Sequence, residues 1–137
     1  MIFAKHLQKA FQIQKLFKEH QVRKIYVAKV HGKFSTEDVN VNVPLQRLNI
    51  RKGIWRIAKP NILSNDHESK LNNENVIIKT AETNFKFISY DKDNNTSNVL
   101  CFPKTGRTHQ LREHLRYLNH SIVNDEEIQK LKEYVPR

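Results

Sequence analysis

With one cysteine, Cys101, among 137 residues, the chain can form no internal disulfide and no cysteine-rich zinc site; a small buried strand residue is the expectation for that thiol. No apolar stretch approaches the ~20 residues that span a bilayer. The N-terminus carries Lys5 but no continuous apolar segment ending in small residues, so neither secretion nor membrane attachment is indicated. The expectation is a soluble, intracellular protein, with cytosol, nucleus and organelle all open. Acidic side chains are also scarce: 14 Asp and Glu stand against 24 Lys and Arg, a formal net charge of +10. That excess suits a partner dense in phosphates, RNA or DNA being the simplest, and predicts binding that weakens steeply with salt. Basic proteins that bind no nucleic acid are common, so charge alone leaves this open.

Hydrophobic residues make up 38% of the chain and charged residues 28%, enough for one core and one domain over residues 1–137. Ala4 to His20 reads as a helix whose apolar side (Leu7, Ala10, Phe11, Ile13, Phe17) is expected to be core, with Lys5, Lys9, Lys15 and Lys18 outside. Lys24 to Val30 alternates as a strand, with Tyr26, Ala28 and Val30 on one face. Phe34 to Leu48 holds turns and short strands, and Ile54 to Ala58 reads as another strand. Pro60 to Asn75, dense in Asn, Ser and Asp without periodicity, reads as a flexible loop. Val76 to Thr80, Ala81 to Tyr90 and Asn98 to Phe102 supply further strands, and Asp91 to Asn95 (DKDNN) is a turn. The sum is an α+β fold, mainly an antiparallel sheet flanked by helices, with a short helix expected in the tail from Asp125 to Tyr134.

The densest chemistry lies in Pro103 to Asp125, PKTGRTHQLREHLRYLNHSIVND. Pro103 and Gly106 punctuate the end of a strand, and a helix should begin close to Arg107, with Thr105 or Thr108 placed to cap it. Leu111, Leu115 and Leu118 recur at helical spacing, turning Arg112 and Arg116 onto another face. Unpaired N–H groups at a helix start together with arginine forks favour a phosphate or carboxylate. Spacing alone equally allows a solvated basic face. His109, His114 and His120 do not share a helical face, so no metal site is read from them.

This segment closely resembles the C-terminal signature of the RluA-type pseudouridine synthases, TGRTHQIRVHL followed by LGHPI and then GD or ND. VRKIYVAKVHG (22–32) resembles the family strand K-x-Y-x-A-x-V-x-G. AETNFKF (81–87), then Tyr90, Ser97 and Cys101-Phe102-Pro103, resemble the run A-x-T-x-F, Y, S-x-V-x-C-x-P of the eukaryotic branch, and Val43-Pro44-Leu45 matches a "PL" turn. The resemblance extends from about Ile2 to Asp125, with a poorly matching insert near 60–75. It departs at Leu111, Glu113, Asn119 and Ser121, where isoleucine, valine, glycine and proline are usual; Asn119 is expected to keep the left-handed helix stop.

The resemblance implies part of a pseudouridine synthase catalytic fold that acts on RNA without a cofactor. It flips a uridine out of the stack, breaks its glycosidic bond, turns the base and forms a carbon–carbon bond. Tyr26, which spacing alone would leave as a core tyrosine, would pack against the flipped base; Arg112 would ion-pair with the nucleophilic aspartate. Arg107, Thr108, His109, Gln110 and Arg116 would line the RNA side. The family nucleophile lies in an RLDxxTSG context, placed before a segment that Ile2-Phe3-Ala4-Lys5 resembles at its end, and none of the 137 residues supplies it. Three readings stay open: a portion of a synthase whose site is completed by an upstream segment or another chain, an inactive RNA-binding relative, and a structural subunit of an RNA–protein assembly. A sheet short of its first family strands leaves core uncovered, so the isolated chain is expected to be only marginally stable. A cooperative, high-temperature melting transition in calorimetry would contradict that.

Overall fold

A computed structural model of the protein describes residues 3–19, 21–49, 53–58 and 77–125. Its elements are α1 (Leu7–Lys18), β1 (Tyr26–His31), β2 (Val39–Asn42), β3 (Leu45–Asn49), β4 (Ile54–Ile57), β5 (Ile77–Lys79), β6 (Glu82–Asp91), β7 (Thr96–Pro103) and α2 (Gln110–Tyr117). All strand pairing is antiparallel, in a four-stranded sheet ordered β1-β7-β6-β2 and a three-stranded sheet ordered β4-β3-β5. The α+β class expected from patterning is the class observed. The flexible-loop reading of 60–75 and the tail helix beyond Asp125 lie outside the described residues.

The DKDNN turn closes the longest pairing, β6 with β7. Asp91 Oδ1 accepts from the N–H groups of Asp93 (3.1 Å) and Asn94 (3.2 Å), and Asn95 takes the left-handed conformation at φ 48° that asparagine tolerates. Register then sets which side chains meet. Tyr26, Ala28 and Val30 lie opposite Cys101, Val99 and Ser97, and Phe85 lies opposite Cys101 on the other side. This shared face is the core: Ala28, Val30, Phe34, Val41, Phe85, Val99 and Cys101 are buried with Leu115 of α2, flanked by Leu111 and Leu118. Leu111, Leu115 and Leu118 thus form the apolar stripe read from their spacing. The Cys101 thiol is fully buried, and burial pushes its pKa up to about 12.

The stop after α2 is a Schellman arrangement. Asn119 sits at φ 62°, its N–H donates to Arg116 O (2.9 Å), and His120 N–H donates to Leu115 O (2.9 Å). The chain then returns along β1: His31 N–H donates to Ser121 O (2.9 Å) and Val123 N–H to Lys29 O (2.8 Å). Only the far end of β1 is covered this way; its start, with exposed Ile25 and Val27, is an open edge among the described residues.

One expectation needs correction, and one buried charge needs explaining. The apolar side of α1 contributes nothing to the core: no residue of that helix is buried, and Phe11 is 60% exposed. Its periodicity is real, but nothing among the described residues covers that face. Glu113, a charge at a helix position where the resemblance has valine, is buried. Arg56 of β4 explains it, since its Nη1 donates to Glu113 Oε1 at 3.0 Å, while Arg116 Nη2 lies 3.5 Å from Oε2 without hydrogen-bond alignment. This pair ties α2 to the small sheet, whose own cluster is Leu45, Trp55 and Ala81. Removing one member strands a buried charge. Arg56→Met is expected to lower stability by roughly 3 kcal/mol, and Arg56→Met with Glu113→Leu to recover most of that. Urea unfolding midpoints check this; equal losses in both variants would mean that packing, not charge, joins the two layers.

Candidate functional site

Between β7 and α2 the chain runs through Lys104 to His109, and its shape is fixed by one buried side chain. Gln110, the first residue of α2, accepts at Oε1 from the Thr105 hydroxyl (2.8 Å) and from the Arg107 N–H (3.0 Å). Its Nε2 donates to Glu82 O (3.0 Å) and to Thr83 Oγ1 (2.9 Å). Every polar atom of the amide is used, as burial requires.

The network continues inward. His114, fully buried one turn further on, places Nδ1 2.9 Å from Thr83 Oγ1 and Nε2 3.0 Å from Val43 O. A carbonyl accepts only, so Nε2 carries the proton and Nδ1 accepts from the Thr83 hydroxyl, which in turn accepts from Gln110. A neutral imidazole satisfies each group. Burial lowers the His114 pKa, opposed by the hydrogen bond to Val43.

These bonds correct two expectations. The helix begins at Gln110 rather than near Arg107, and neither Thr105 nor Thr108 caps it: the cap position is His109 at φ 58°, with no side-chain cap bond. Thr105 instead receives the Glu82 N–H (3.0 Å) and serves Gln110. Gln110, expected to face RNA, points inward, because a glutamine with all its donors and acceptors engaged in the core has none for a ligand. It shapes the loop that others occupy.

The remaining predicted residues are accessible to differing degrees. Thr108 is exposed, and Arg107 and His109 are half-buried. Arg107 Nε donates to Thr80 O at 3.0 Å, which holds the side chain across the loop. Tyr26 lies on the core-facing side of β1 but at its uncovered start, and is 48% exposed. Arg112 and Arg116 do not act as a free pair. Arg116 leans toward Glu113, and Arg112 Nε lies 3.0 Å from Oδ2 of Asp125, a carboxylate only 4% exposed. That contact is coulombic, since the geometry is not that of a hydrogen bond. Sequence reasoning gave no site role to Asp125, Thr83, His114 or Lys24; each lay within a matched motif, but spacing alone gave no sign that Asp125 meets Arg112, that Thr83 meets both Gln110 and His114, or that Lys24 reaches Thr105.

A family model described as RNA pseudouridylate synthase matches residues 1–117. Human pseudouridylate synthase RPUSD2 is 33% identical over 125 residues, which is 91% of this chain and 19% of that protein. The mitochondrial tRNA pseudouridine(32) synthase of Saccharomyces cerevisiae is 38% identical over 125 residues, 91% of this chain and 24% of that protein. Among solved structures, human RNA pseudouridylate synthase domain containing 1 superposes with a TM-score of 0.69 at 27% identity, covering 89% of this chain and 46% of that one. The chain therefore spans about a quarter or less of those two curated relatives and under half of the solved chain.

Because the His114 pKa is lowered on folding, the unfolded chain binds that proton more readily. The stabilisation is whole above the ordinary histidine value of about 6.5 and is lost as pH falls through the lower folded value. Denaturation midpoints are expected to drop on acidification from neutral pH to below that range, and to drop less in His114→Gln. An unchanged pH profile in the variant would assign the acid sensitivity elsewhere.

Proposed function

The chain belongs to the RNA pseudouridylate synthase family, and from that premise we propose that it forms the part of an RNA pseudouridine synthase site that holds the flipped uridine and positions the reactive carboxylate. The family match over residues 1–117 carries this reading. In the reaction the bond between base nitrogen and ribose breaks, the base turns, C5 bonds to the ribose carbon and the C5 proton leaves. No cofactor enters this balance.

Tyr26 packs against the extruded base: its ring is half-exposed at the open start of β1, where a nucleobase can stack on it. Arg112 orients the nucleophilic aspartate. A guanidinium has five N–H donors, so the contact of Nε with Asp125 is compatible with a second carboxylate. Arg107, Thr108, His109 and Arg116 meet the RNA backbone around the site. The net charge of +10 supplies long-range attraction.

No aspartate of the 137 residues lies in the nucleophile's sequence context, so turnover depends on a carboxylate from polypeptide outside this sequence, in the same chain or another. The 137 residues alone are expected to bind single-stranded RNA with an affinity that falls as salt rises, and to release no tritium from RNA labelled at uridine C5. Tritium release by these residues would sink the division of labour. Absence of RNA binding at low salt would favour a structural role instead.

A further inference from the structure

Lys24 stands outside every role described so far, although it lies two residues before Tyr26. Its Nζ donates to Thr105 O at 2.9 Å, across 81 residues of sequence, and is half-buried there. Gly106 makes the room: a Cβ at that position would come within 3.2 Å of Nζ. The next residue, Arg107, is held over the same loop by Thr80 O. Two cations are thus fixed at one loop by backbone carbonyls rather than by acids.

No carboxylate pairs with either of them among the described residues. Glu82, whose N–H meets the Thr105 hydroxyl of the same loop, is engaged by Lys104 and by Asn40. Burial first, and then the charge of Arg107, lower the Lys24 pKa, so the two charges do feel one another. The folded loop therefore brings like charges together, an arrangement that an anion between them would relieve.

We propose that Lys24 and Arg107 form a single subsite for one RNA backbone phosphate, adjacent to the nucleotide that stacks on Tyr26. This rests on the reading that the chain binds RNA, and adds to it a residue, a ligand group and a stoichiometry. A lysine ammonium is a point charge and suits a phosphate as well as an arginine fork does. Thr105 O sets where the ammonium sits, and the Gln110 network sets where the loop carrying Arg107 lies.

The test uses the 137-residue chain and a fluorescein-labelled oligouridine, with affinity measured across a salt series. Lys24→Gln keeps a donor near Thr105 O but removes the charge, and is expected to weaken binding about 5- to 10-fold at low salt. Lys24→Gln with Arg107→Gln is expected to flatten the slope of log affinity against log salt by about 0.7, the value for one phosphate on a single strand, rather than about 1.4. Wild-type affinity in Lys24→Gln, or a change near 1.4 in the double variant, would overturn the subsite while leaving RNA binding intact. Failure of the wild-type chain to bind oligouridine would overturn the broader reading and the subsite with it. Should the variants not fold, acylation of the wild-type protein by an acetyl succinimidyl ester decides. Bound oligouridine is expected to protect Lys24, and equal modification with and without it would refute the subsite.

Discussion

A neutral imidazole inside the protein is the constraint on which the rest hangs. His114 can satisfy both ring nitrogens only if Thr83 turns its hydroxyl toward Nδ1, and Thr83 can then accept only from Gln110. That chain of donors and acceptors has one self-consistent direction. It fixes α2 against β6, reaches Val43 at the approach to the small sheet, and at its other end holds the N–H of Arg107. A hydrophobic α2 would pack as tightly, yet would leave the loop before it unshaped. Polar burial here gives the loop a unique conformation at some cost in stability.

Charge is distributed by a similar logic. The few acids near α2 are engaged within the protein: Glu113 between Arg56 and Arg116, Asp125 against Arg112, Glu82 with Lys104. Each fixes a cation in place. The cations at the loop before α2, Lys24 and Arg107, are held by carbonyl oxygens that position them without cancelling their charge. Among the described residues around α2 the positive charge is therefore sorted, with acid-paired arginines along the helix and, beyond the Lys104–Glu82 pair, Lys24 and Arg107 held at the loop by carbonyls alone.

Much of this fold was legible because strands here alternate cleanly and turns use residues with one conformational purpose. Asp91 to Asn95 and Asn119 announced their geometry through side-chain chemistry that acts within a few residues. The α+β class and the leucine stripe of α2 followed from period alone. What failed to show was long-range. Arg56 and Glu113 are 57 positions apart, Lys24 and Thr105 are 81, and no local rule links them. The helix start was misplaced because Gln110 satisfies the N–H that a threonine cap was expected to take. The burial expected for α1 failed for a different reason: periodicity tells which side of a helix is apolar and is silent on whether anything covers it. At the candidate site, the ordered motifs singled out Tyr26 and Arg112, while the contact of Arg112 with Asp125 and the inward aim of Gln110 needed three dimensions.

The Schellman stop at Asn119 and the return of residues 121–123 along β1 have a metric meaning. His120 N–H is bonded to the helix, and the very next residue, Ser121, accepts from the strand at His31 N–H, with no residue between them. The link acts as a ruler, coupling the axial position of α2 to the register of β1. An insertion there would slide the helix along the sheet or unpair the strand, moving Arg112 relative to Tyr26 in either case. Length in this segment is thus under tighter geometric constraint than its residue types.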